Sequence, residues 1–353
     1  MWKHSFRLFR TINSLRISPT SSKRIRSTLE KATFTAIGVL LYHSLAPSKV
    51  ELGSDYFTKY RISKKKTIDE DHFFLELSPL ISQKVNLWST FGSSKLWSVQ
   101  IKQPEIMVVR NYTPLPLKLN DDDEIEVLKD GENCDGRLLF YIKQYKNGEV
   151  ARWLHNLPVG QVVELRGPYV DYEFPNAESD TKRGREFLWK STESSETEKF
   201  RYQPFDLSMF TAGTGIVTAL QLLLTESPFR GEILLFHSCR EKSELGPLLP
   251  LLKRLQEHDR VKLYLFESSK GCDIRQQIKN VKEMIPEPSE YVPNLPFLKP
   301  GSDTIIKPVL SLVCGPDSYI STIAGDKYDL SQGPIKGLLG EKGWTNSNVY
   351  KLS

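Results

Sequence analysis

The chain has 353 residues, 39% of them hydrophobic and 26% charged, which is ordinary globular material long enough for two compact domains and an additional segment. Its formal net charge of +5 is concentrated at one end: residues 1–31 hold eight Lys/Arg against the single acid Glu30, a net +7 that, taken from +5, leaves −2 for the rest. The remaining chain has no general basic field for a polyanion, so nucleic acid is not an expected partner.

Residues 1–31 are rich in Arg and Ser, and they space Trp2, Phe6, Phe9, Ile12 and Leu15 as an amphipathic helix would, the composition of a mitochondrial targeting segment. Residues 32–46 carry no Asp, Glu, Lys or Arg, and Pro47 ends the run. A helix of that length is about 22 Å long against a hydrocarbon core of about 30 Å, so residues 32–47 are a short transmembrane anchor, with a cleaved sorting segment as the alternative. The basic residues before it predict that the N-terminus stays in the matrix and the body faces the intermembrane space.

From residue 54 to 175 short alternating runs such as Trp97-Ser98-Val99-Gln100-Ile101 and Leu138-Leu139-Phe140-Tyr141-Ile142 predict an antiparallel β-barrel, interrupted by one helix over 150–157. From 204 to 353 apolar strands alternate with helical segments: strands over 207–211, 232–237, 261–267 and 310–314, and helices over 216–225 and 248–257. That texture predicts an α/β domain with a parallel sheet, with ligands at the C-terminal ends of its strands. The tract 176–203 between them is too polar for a core and is expected to be a disordered insertion; 286–308, rich in proline, is expected to be a second surface excursion.

Four elements carry chemistry. Arg110-Asn111-Tyr112-Thr113-Pro114 ends a strand and offers paired donors for a phosphate, a flat ring and a hydroxyl, the needs of a flavin nucleotide; a plain strand and turn would read the same. Gly148-Glu149-Val150-Ala151-Arg152 opens a helix whose first N–H groups favour an anion. Gly213-Thr214-Gly215-Ile216 sits between strand and helix, where glycines let phosphates approach the backbone, although tight turns share that pattern. Cys314-Gly315-Pro316 follows an apolar strand at the same sheet edge; a small buried thiol is the alternative for Cys314. The four cysteines, Cys134, Cys239, Cys272 and Cys314, form no Cys-x-x-Cys pair, and no metal site is expected among them or the histidines. Asp121-Asp122-Asp123-Glu124 reads as a solvated acidic loop.

The order Arg-x-Tyr-Thr, Gly plus short helix, Arg166-Gly167-Pro168, Gly-Thr-Gly-Ile and Cys-Gly-Pro resembles the ferredoxin-NADP reductase and NADH-cytochrome b5 reductase superfamily. Within it the whole chain is similar to fungal mitochondrial flavoproteins that assist cytochrome c maturation. The resemblance implies a barrel holding FAD and an α/β domain presenting NAD(P)H to it. By position, Arg110, Asn111, Tyr112, Thr113, Ile142, Lys143 and Tyr145 would bind the flavin, and Gly148 to Arg152 the FAD pyrophosphate. Gly213, Thr214, Gly215 and Ile216 would hold the coenzyme pyrophosphate, and Cys314, Gly315 and Pro316 would flank the nicotinamide. Tyr112, Thr113 and Cys314 are the implied catalytic residues. Ala151 stands where the superfamily carries Ser or Thr, which removes one hydrogen bond to FAD. Ser238 and Arg240 follow the second strand of the dinucleotide sheet and suit a 2′-phosphate, while Glu241 suits a 2′-hydroxyl, so use of both coenzymes with NADPH favoured is expected. The implied function is NAD(P)H-dependent electron delivery to haem or cytochrome c assembly, with haem lyase as a partner at the inner membrane. A general NADH-cytochrome b5-type reductase, or an idle flavoprotein scaffold for haem lyase, are the alternatives.

Overall fold

A computed structural model describes residues 51–92, 94–174, 184–190, 199–200, 206–225, 231–290, 297–298, 306–328 and 331–352. The expected targeting segment and the anchor at 32–47 lie outside them. Among the described residues no helix is long and apolar enough to cross a membrane.

The alternating runs of the first half become one antiparallel sheet. Its strands are β1 (Thr58–Thr67), β2 (His72–Pro79), β3 (Lys95–Gln103), β4 (Val108–Tyr112), β7 (Leu138–Lys143) and β8 (Val162–Glu173), in the spatial order β4-β3-β8-β1-β2-β7. A small hairpin, β5 (Leu117–Leu119) and β6 (Ile125–Val127), lies between β4 and β7 in sequence. The sheet curls as a half-barrel whose edges meet at one point: Leu115, just past β4, forms an isolated bridge with Leu139 of β7. Alternate residues such as Trp97, Val99 and Ile101 of β3 point inward, where they pack with Val150, Ala151 and Leu154 of the helix Glu149–Asn156.

The second half is a parallel sheet in the order β12-β11-β10-β14-β15, with β10 (Asp206–Ala212), β11 (Ile233–Cys239), β12 (Val261–Glu267), β14 (Pro308–Cys314) and β15 (Val349–Lys351). The helix Leu248–Glu257 and β12 occupy the predicted spans. Helices Ile278–Met284, Asp317–Ala324 and Gly337–Glu341 and strand β15 had no expectation from pattern. All nine residues of the helix Ile216–Leu224 are buried, because it packs between its own sheet and the half-barrel; one apolar cluster runs through Ile216, Leu220, Leu139 and Tyr141.

The polar tract 176–203 is corrected in part. Residues 184–190 are folded, with a short turn Glu186–Leu188 whose Phe187 and Leu188 are buried. Arg185 anchors this piece: its guanidinium donates to Leu128 O at 2.8 Å, to the Leu224 carbonyl and to Asp130 at 2.6 Å, so the tract clasps both halves. The two expected excursions also meet, as β9 (Lys199–Phe200) pairs antiparallel with β13 (Phe297–Leu298).

Candidate active site at the seam of the two sheets

In β4, Arg110 pairs with the buried Ile101 and Tyr112 with the buried Val99, so both side chains leave the inner face of the sheet, toward the helix Glu149–Asn156. Asn111 leaves the other face and is exposed. The Arg110 guanidinium is exposed, and among the described residues its one hydrogen bond is to the neighbouring Val109 carbonyl at 3.0 Å. Its paired donors therefore remain open to a phosphate. The Tyr112 ring meets Phe140 edge-on at 6.3 Å, and burial pushes its phenol well above the ordinary range, so it stays neutral. Thr113 follows half-buried, before the buried Pro114.

Gly148 is the N-cap of the helix Glu149–Asn156 and supplies no side-chain cap, so the first-turn N–H groups are free for an anion. Val150 and Ala151 are buried, Glu149 and Arg152 exposed. Arg152 donates to Lys146 O at 3.0 Å, which folds it back over that end. The far end is held by Lys65, whose ammonium donates to Leu154 O at 2.9 Å, His155 O at 2.8 Å and Leu157 O at 2.6 Å. These are the carbonyls a helix C-terminus leaves unpaired, and the cation also complements the negative end of its dipole. Burial lowers the Lys65 pKa.

Ile142 is buried in the core. Lys143 is engaged at the seam, with its ammonium 3.4 Å from Glu244 of the parallel half. The Glu244 carbonyl accepts from Tyr141 at 2.9 Å, and its carboxylate lies 4.0 Å from His72. Tyr145 is 49% exposed, and a Cβ on Gly213 would lie 3.8 Å from its hydroxyl. The segment after β7 thus reaches the Gly213 turn.

That turn, Gly213–Gly215, is one turn of 3-10 helix at the end of β10, with Gly213 at φ +54, a conformation that favours glycine. Thr214 is half-buried and Ile216 fully buried. The helix that follows has no side-chain cap and no acid in its first turn. Gly215 admits no side chain, because a Cβ there would come within 2.7 Å of Cys314 O and 3.2 Å of its sulfur. Cys314 pairs with Thr211 across β14 and β10. Burial pushes its thiol up to about 11, against a hydrogen bond with Thr218, so it is a neutral packing surface rather than a thiolate. A Cβ on Gly315 would lie 3.0 Å from Ala212 Cβ and Tyr319 Cδ1, and Pro316 caps the helix Asp317–Ala324.

Ser238 pairs with Ala212 at the same edge. Its hydroxyl and that of Tyr319 are buried and close enough for each to act on the other. Two uncapped helix starts and an uncommitted guanidinium are what bound dinucleotides would satisfy, so the residues fit FAD and NAD(P)H. Arg240 is exposed; its backbone N–H donates to Glu244 at 3.3 Å and leaves the guanidinium turned to solvent. Among the described residues no cluster suits a metal ion.

Gln221 locks the arrangement. It accepts from Trp97 N at 3.0 Å and donates to Trp97 O at 3.0 Å and Pro114 O at 2.9 Å. One side chain from the helix Ile216–Leu224 thereby fixes the backbone at the end of the pentapeptide Arg110 to Pro114. The residue pattern assigned it no role, although an amide in the otherwise apolar run around it, with Thr218 the one other polar residue of Ile216–Leu224, was a signal. Lys65, Glu244 and Asp171 were passed over as well, since their partners are remote in sequence.

The comparisons with known proteins agree with this geometry. Residues 59–174 match the oxidoreductase FAD-binding domain family. The chain is 51% identical to the "Cytochrome c mitochondrial import factor CYC2" of Saccharomyces cerevisiae over 100% of both proteins. It is 23% identical to "NADH-cytochrome b5 reductase 2" of Meyerozyma guilliermondii, over 91% of this chain and 95% of that one. The cytochrome P450 reductase GcoB of Amycolatopsis shares the fold, with a TM-score of 0.50 at 15% identity over 84% of this chain and 69% of that one. The chain belongs to the ferredoxin-NADP reductase and NADH-cytochrome b5 reductase superfamily, as a full-length relative of the yeast import factor. Its cofactors are FAD and, as electron donor, NAD(P)H.

Proposed function

We propose that this protein is a mitochondrial NAD(P)H oxidoreductase that delivers electrons to haem iron for cytochrome c maturation, anchored in the inner membrane by residues 32–47 with its body in the intermembrane space. Bound FAD would supply the conversion between a two-electron hydride donor and single-electron delivery. The chain's own residues do the placing. Arg110 and the start of the helix Glu149–Asn156 would hold the FAD phosphates, and Tyr112 and Thr113 the ring. The Gly213–Gly215 turn would seat the coenzyme pyrophosphate, and the neutral Cys314 would leave the nicotinamide an unreactive floor.

The observation that carries the reading is Gln221, which ties the end of the flavin strand to the coenzyme helix by three hydrogen bonds. Hydride transfer depends on holding two rings in register, and this side chain fixes the two backbones that would carry them. The link to cytochrome c rests on the yeast relative, a cytochrome c mitochondrial import factor.

The test is anaerobic: purified protein, NADPH or NADH, and ferric haem, following reduction of the iron. Catalysed reduction that needs both FAD and coenzyme is the expected result. Flavin that binds and is never reduced by either coenzyme would favour the idle scaffold instead. For topology, the body should resist added protease in intact mitochondria and become accessible when the outer membrane is ruptured; protection after rupture would put it in the matrix.

A further inference from the structure

After β11 the chain makes one turn of 3-10 helix, Lys242–Leu245, which carries the buried carboxylate of Glu244. A buried carboxylate needs partners, and this one takes them from both halves of the molecule. Within its own half, Oε2 accepts from the Arg240 backbone N–H at 3.3 Å. Across the seam, Oε1 accepts from the Lys143 ammonium at 3.4 Å, at the end of β7. His72 of β2, opposite Lys143 in the sheet, sets its Nε2 4.0 Å from Oε2. That ring is itself fixed, with its Nδ1 2.8 Å from the Asp69 carboxylate and Tyr141 stacked on it at 5.7 Å.

Two further contacts press the same turn on the half-barrel. Tyr141 donates its hydroxyl to the Glu244 carbonyl at 2.9 Å. A Cβ on Gly246 would lie 2.7 Å from Ile68 Cγ2, so the backbone there runs directly against the loop between β1 and β2. The Arg240 backbone is gripped on both sides, its N–H by Glu244 and its carbonyl by Ser269 N at 3.1 Å. Its side chain stands exposed at the end of β11. Glu244 therefore joins the backbone that aims Arg240 to side chains of the other half.

A guanidinium reads a phosphate through directed, charge-assisted hydrogen bonds, and a misplacement of about 1 Å is enough to lose much of their worth. NADH has no 2′-phosphate and is indifferent to where Arg240 points. A turn that comes loose from the half-barrel thus removes the advantage of NADPH and leaves NADH nearly unaffected.

We propose that Glu244 is a positioning residue for coenzyme choice: it holds the Arg240 backbone against Lys143, Tyr141 and His72 of the half-barrel, so that Arg240 meets the 2′-phosphate of NADPH. The proposal rests on the reading of the chain as NAD(P)H-dependent.

The experiment measures dissociation constants of NADP+ and NAD+ on the FAD-loaded full chain. Glu244→Ala should weaken NADP+ by about fivefold and NAD+ by less than about twofold. Tyr141→Phe keeps the ring and gives up the donor to the Glu244 carbonyl, so it should shift the ratio of the two constants in the same direction by about twofold. Arg240→Ala should abolish the preference, and adding Glu244→Ala to it should change the ratio no further, because the one residue acts through the other. Equal weakening of both dinucleotides in Glu244→Ala, or an effect on the ratio that adds in full to that of Arg240→Ala, overturns the proposal and leaves Glu244 a structural ion pair. A ratio that Glu244→Ala or Arg240→Ala leaves unchanged overturns it as well, with the coenzyme reading intact. Failure of the unmodified protein to bind either dinucleotide overturns both. Should Glu244→Ala fail to fold or to hold FAD, Glu244→Gln and Tyr141→Phe decide: a wild-type ratio in both variants contradicts the proposal.

Discussion

Two helices begin at the candidate site, and they are held in opposite ways. Ile216–Leu224 is buried along its whole length and clamped through Gln221, whereas Glu149–Asn156 buries three of its residues and depends on Lys65 at its far end. The helix proposed to seat the coenzyme is thus part of the core, and the one proposed to hold the flavin phosphates is an amphipathic element hung on one cation. Damage to the first should unfold the seam; damage to the second should loosen FAD before it unfolds anything.

The largest effect is expected at Gln221. Gln221→Ala strands the Trp97 N–H and the Trp97 and Pro114 carbonyls in a buried position and opens a cavity, which should cost about 3–6 kcal/mol. Denaturant unfolding measures this; a loss below about 1 kcal/mol would mean that the two halves are joined elsewhere. Lys65→Met removes three charge-assisted hydrogen bonds that water can partly replace, so about 1–3 kcal/mol is expected. The same variant should bind FAD more weakly, as equilibrium dialysis would read. Unchanged affinity would detach the helix from the flavin site.

Asp171 sharpens the contrast in the other direction. Its folded pKa is raised by burial to about 6, so its ionised form is disfavoured in the folded state. The stability it contributes is full below the unfolded carboxyl pKa of about 4 and is lost as pH rises through about 6. Asp171→Asn should therefore unfold like the parent in acid and be more stable by about 1–3 kcal/mol at alkaline pH. Denaturant melts across that window test the sign, and equal stability at both ends would place the carboxyl in water.

How much of this was legible depended on whether a residue's partner was near in sequence. The parallel half announced itself because strands covered on both faces are continuous apolar runs, and β12 and the helix Leu248–Glu257 fall on the predicted spans. The pentapeptide at Arg110 was visible as chemistry, and the structure adds that Arg110 and Tyr112 share a face. Lys65 looked like one more cation in a basic strand, because its carbonyl partners lie 89 to 92 residues away. Arg185 was hidden in a polar tract whose composition argued for disorder, yet one guanidinium and two apolar side chains fold its middle. Lys143, expected at the flavin, lies 3.4 Å from Glu244 of the parallel half, a pairing no spacing rule encodes.

A smaller effect is expected at the edge of the coenzyme site. Arg240 is exposed just beyond Ser238 at the end of β11, where the 2′-phosphate of NADPH would lie. Arg240→Ala should raise the KM for NADPH by about tenfold and leave that for NADH nearly unchanged. Equal losses with both coenzymes would mean that Arg240 supports the fold of the loop and does not choose between ligands.

The central claim is that one seam brings a flavin and a reduced nicotinamide together. Its most direct measurement is the visible absorbance of the FAD-loaded full chain, without oxygen, as NADPH is added. The account predicts that the parent protein is yellow and bleaches, while Arg110→Ala, lacking the free guanidinium on the inner face of β4, is purified largely colourless. Full flavin retention in Arg110→Ala, or a yellow parent that neither NADPH nor NADH bleaches, would contradict it.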